Sequence, residues 1–87
     1  MLTAWAYDVW GNEEDGWEVN NKARVYTFDN VDEIPEIDEE LLGLFILSGV
    51  LSEDATLDMV EFDGDDMVAY ATDVDSGFPL GEIVKED

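Results

Sequence analysis

Carboxylates supply nearly all the chemistry open to this 87-residue chain: it has 24 Asp and Glu, and neither His nor Cys. Asp63, Asp65 and Asp66, and then Asp73 and Asp75, stand close enough together to suggest oxygen ligands for Ca²⁺ or Mg²⁺. The spacing does not complete a calcium loop. Counted from Asp73, Gly77 falls at the fifth position, and the twelfth is Val84 where a bidentate Glu is needed. Asn12, Glu14 and Gly16 only echo such a loop. Asp and Gly are also what tight turns use, so these clusters read as turns and no metal site is expected. Paired carboxylates can hydrolyse glycosides, but that chemistry needs a substrate cleft and a carboxyl group with a raised pKa. A domain this small has little room for either, and no motif marks a pair. No catalytic residue and no cofactor are expected.

The missing residue types exclude more. Without Cys there is no disulfide, thiolate nucleophile or zinc ribbon, and without His no imidazole base or triad. The three basic residues, Lys22, Arg24 and Lys85, cannot neutralise a phosphate-rich ligand. Direct binding to nucleic acid or to an anionic membrane is therefore not expected. The N-terminus has no basic segment leading into an apolar one, and Leu41 to Leu51 is too short to span a bilayer. The expectation is a cytoplasmic protein that is not an enzyme.

What remains is the charge. The formal net charge is −21, yet 46% of the residues are hydrophobic and ten are aromatic, which points to a folded body with a charged shell. Duplex DNA carries one charge per roughly 1.7 Å, so a folded domain about 30 Å across matches a stretch of duplex carrying about 18 charges. Such a surface can occupy a basic DNA-binding groove. Its expected contributors are Asp32, Glu33, Glu36, Asp38, Glu39 and Glu40, with Glu53 and Asp54 beyond the helix that follows. Adaptation to high salt fits the same composition, and so does a generic acidic module that binds a basic protein of another kind.

The elements that carry these residues read as α+β. Leu2 to Trp10 alternates as a strand, Trp17 to Val19 pairs back after an Asp-Gly reversal, and Ala23 to Phe28 forms a third strand. Pro35 keeps Ile34 out of a helix, so the helix is expected to start with Asp38 as N-cap and to stop at Gly49. Leu57 to Phe62, Met67 to Thr72 and Leu80 to Lys85 follow as strands. The expected layout is β-β-β-α-β-β-β, an antiparallel sheet of five or six strands with one main helix, in a single domain over residues 1–87. Stepped at 100° per residue, the apolar residues of the helix cover nearly its whole circumference. Either flanking loops near Ile34 and Ile37 cover the surplus, or it meets a partner or a second copy. In the second case Leu44 with Phe45 or Leu47 would wall a groove for an apolar side chain of the target.

The stretch Trp5-Ala6-Tyr7-Asp8-Val9-Trp10-Gly11-Asn12-Glu13-Glu14-Asp15-Gly16-Trp17-Glu18-Val19-Asn20 resembles the opening of a family of small acidic hypothetical proteins encoded by bacteriophages. The resemblance covers roughly a fifth of the chain, going by the motif alone, and implies a viral setting without assigning any residue a role. In size, charge and expected build the chain is similar to phage DNA mimics such as the uracil-DNA glycosylase inhibitor, acidic anti-restriction proteins and some anti-CRISPR proteins. That similarity implies a host target among uracil-DNA glycosylase, CRISPR effectors and restriction enzymes, met in the host cytoplasm.

Overall fold

Alternation along the first strand sets the frame. In the computed structural model, which describes residues 1–86, Leu2 and Ala4 are fully buried on one face of the strand. Trp5 and Tyr7 lie on the other. This strand, β1 (Leu2–Asn12), turns back into β2 (Gly16–Phe28). At the tip the Asp15 N–H donates to Asn12 Oδ1 at 2.8 Å. Helix α1 (Asp38–Ser48) follows, then β3 (Val60–Gly64), β4 (Val68–Asp73) and β5 (Pro79–Lys85). All pairings are antiparallel, in the order β2-β1-β5-β4-β3.

The α+β layout with three strands before the helix is not what forms. Among the described residues the protein is mostly β, with five strands in one sheet and a single 11-residue helix. Trp17–Val19 and Ala23–Phe28 belong to one 13-residue strand. The Asn20-Asn21 pair does not end it: the register slips between Asp8↔Asn21 and Val9↔Val19, leaving Asn20 as an extra residue. A second slip leaves Val25 extra between Tyr26 and Arg24. A bulge absorbs one residue and adds twist while pairing resumes on both sides, so two short strands become one long bent one.

The helix packs on one face of the sheet. It buries Leu41, Phe45 and Ser48, and Phe45 stacks on Phe62 of β3 at 5.4 Å between ring centroids. Leu2, Ala4, Phe28, Leu51, Val60, Ala69, Ala71 and Ile83 complete the core. The N-cap is Ile37, one residue before Asp38, and it makes no side-chain cap. Its carbonyl accepts from the Glu40 and Leu41 N–H groups, and Asp38, Glu39 and Glu40 lie in the first turn where the helix dipole favours anions. Gly49 closes the helix in the left-handed conformation, with φ of 91°. The chain leaving it crosses the sheet closely. A Cβ on Gly81 would come within 2.7 Å of a Val50 methyl group and 2.5 Å of the Trp5 carbonyl oxygen, so only glycine fits. No helix among the described residues is long and apolar enough to cross a membrane.

Candidate functional site

Two adjoining clefts open between the 33–40 segment and the turn joining β3 to β4. One has a volume of about 310 Å³, and its walls include Glu36, Asp38, Asp63, Asp65 and Asp66. Its apolar lining is contributed by Ile34, Pro35, Leu41, Phe62, Val68 and Ala69. The other, of about 680 Å³, shares Ile34, Pro35, Glu36 and Asp66 with it and adds Glu33, Ile37, Glu40 and Lys85. Together they form a trough with acidic lips and a partly apolar floor, and Lys85 is its one cation.

Local chemistry shapes both lips. Pro35 and the extended Ile37 hold the 33–37 segment off the helix axis, which directs Ile34 inward and leaves Glu33 and Glu36 exposed. On the opposite lip the Asp65 carboxylate accepts from the Met67 N–H at 2.8 Å and the Val68 N–H at 3.3 Å. That Asx turn reverses the chain and leaves Asp63 and Asp66 facing solvent. Among the described residues no group of three or more Asp and Glu is arranged to hold a metal ion.

The acidic residues singled out in the sequence divide. Glu33, Glu36, Asp38 and Glu40 line the trough, whereas Glu39 and Asp32 are exposed outside it. Asp32 lies 3.8 Å from the amino terminus. Glu53 and Asp54 are exposed beyond the far end of the helix, which is itself about 16 Å long. They do not border the trough.

The apolar residues divide as well. Phe45 is fully buried, Leu44 packs against the core, and Leu47 is 61% exposed on the outer side of the helix. None of the three lines the trough; Ile34, Leu41 and Phe62 do. Asp63, Asp65 and Asp66 were legible only as a turn. Nothing in their local spacing says that they face residues some thirty positions earlier in the chain.

The face of the sheet opposite the helix carries a second constellation. Glu82 is only 8% exposed, and it accepts from the Tyr7 hydroxyl at 2.9 Å and from Lys22 Nζ at 3.4 Å to each oxygen. Lys22 also lies over the Trp5 ring, 5.1 Å from its centroid. Burial, reinforced by the Glu82 carboxylate, pushes the Tyr7 hydroxyl pKa well above the usual tyrosine value. Near the other end of the sheet, Ser76 donates to Asp73 from both its hydroxyl and its backbone N–H, which holds that carboxyl below the usual range.

No family model matches the chain, and no curated protein or solved structure matches it.

Proposed function

We propose that the protein is a DNA mimic that inhibits a nucleic-acid enzyme by occupying its basic DNA-binding groove. The observation that carries this reading is the trough: carboxylates from two distant segments flank two adjoining clefts in a chain of net charge −21. The body measures 40 × 26 × 22 Å. Its 40 Å length corresponds to duplex carrying about 24 charges, against a net charge of −21. A groove that binds DNA by charge would be met by a comparable charge on a body of comparable width. The apolar floor adds specificity, since a protruding apolar side chain of the target can enter it and anchor the complex. A basic groove in a cytoplasmic host enzyme is the setting this reading implies.

The test is inhibition of purified enzymes, namely a uracil-DNA glycosylase, a restriction enzyme and a CRISPR effector, at about 0.15 M ionic strength. The expected outcome is stoichiometric inhibition of one of them, overcome by excess DNA and weakened steeply by salt. A protein that folds only in molar salt would instead be salt-adapted, and one that binds a basic protein without excluding DNA would be an acidic adaptor.

A further inference from the structure

The three central strands are largely apolar on the face opposite the helix. Trp5, Tyr7, Val9, Val84, Val68 and Tyr70 stand there beside Thr3 and Thr72, and the one carboxylate within these strands is Glu82, with Glu86 reaching Thr3 from just beyond β5. An antiparallel sheet whose second face meets water normally presents polar residues there. With 24 acidic residues available, this chain places them elsewhere.

The rim of the same face is charged by side. Cross-strand pairing aligns Arg24, Trp5, Glu82, Tyr70 and Asp63 in one row across all five strands. A neighbouring row has Lys22 beside Tyr7 at the β2 end and Glu61 beside Thr72 at the β3 end. Both cations thus lie on one edge strand, Asp63 and Glu61 lie on the other, and Glu82 stands between them among aromatic side chains.

We propose that this face is a homodimer interface, two copies stacking sheet on sheet about a two-fold axis parallel to the strands. That rotation reverses strand order and preserves position along the strands. It sets Arg24 over Asp63 of the second copy and Trp5 over its Tyr70, while the Lys22 ammonium stays on Glu82 of its own copy. Isologous contact requires such self-complementarity, and the charge order across the sheet supplies it. Glu82 falls near the axis, where its charge is already answered within each copy by Tyr7 and Lys22.

The inference is independent of the proposed inhibition, and salt separates the two. Two bodies of charge −21 repel, so added salt strengthens the dimer while it weakens a complex with a basic groove. Sedimentation equilibrium at about 0.15 M and at higher ionic strength tests it. The expected result is a reversible species of twice the 9.8 kDa chain mass, more populated at high salt. Tyr70→Glu should weaken association at least about tenfold with an unchanged circular dichroism spectrum. Arg24→Glu should also weaken it, and adding Asp63→Arg should recover it. A monomer at every concentration and salt overturns the proposal. A dimer indifferent to Tyr70→Glu overturns it too, because the contact then lies on another surface.

Discussion

Glu82 shows how a buried carboxylate is accommodated in a chain with three basic residues. Two donors on neighbouring strands, the Tyr7 hydroxyl and the Lys22 ammonium, converge on it. The cost appears at Tyr7, which is held in its neutral form by burial and by the adjacent carboxylate. Its pKa is raised on folding, so its contribution to stability is complete below the unfolded value of 10.0 and is lost as pH rises beyond it. In an alkaline absorbance titration, Tyr7 should ionise well above the usual tyrosine range, in a late step together with unfolding. Tyr7→Phe should remove that late step and cost about 1 kcal/mol at neutral pH, the worth of one hydrogen bond. If the late step persists in Tyr7→Phe, the assignment is wrong.

The helix decides whether so small a body holds together. Phe45 is fully buried and stacks on Phe62, so Phe45→Ala should cost about 3–5 kcal/mol, a large share of the stability of a small domain. Leu47→Asp, on the solvent side, should change stability by no more than about 0.5 kcal/mol. Thermal melts compare the two, and equal destabilisation would mean that the helix packs by a different face. Much of this element was readable beforehand, because Pro35, the acidic first turn and Gly49 are local signals. The strand count was not, since Asn20-Asn21 looks alike whether it ends a strand or bulges within one, and only pairing with β1 decides. Which side of an almost uniformly apolar helix faces the sheet was equally hidden. The trough was hidden for a related reason: it joins Ile34 to Asp66, and only the tertiary fold brings those two together.

At the scale of the molecule, the charge has to be held together before it can be used. A body with net charge −21 repels itself, so removing acidic residues from the trough should leave stability unchanged or raise it. Glu33→Gln, Glu36→Gln, Glu40→Gln and Asp66→Asn together remove carboxylates from both lips, leave the turn-forming Asp65 in place and keep Asp63, which the proposed dimer also uses. The most direct test of mimicry follows from that variant: displacement of labelled duplex DNA from the inhibited enzyme, read by fluorescence anisotropy at about 0.15 M ionic strength. Wild-type protein should release the DNA at a one-to-one ratio, and the four-fold variant, equally well folded, should need at least about tenfold more. If the wild-type protein binds the enzyme and the DNA stays bound, or if the variant displaces DNA as well as the wild type, the account is contradicted.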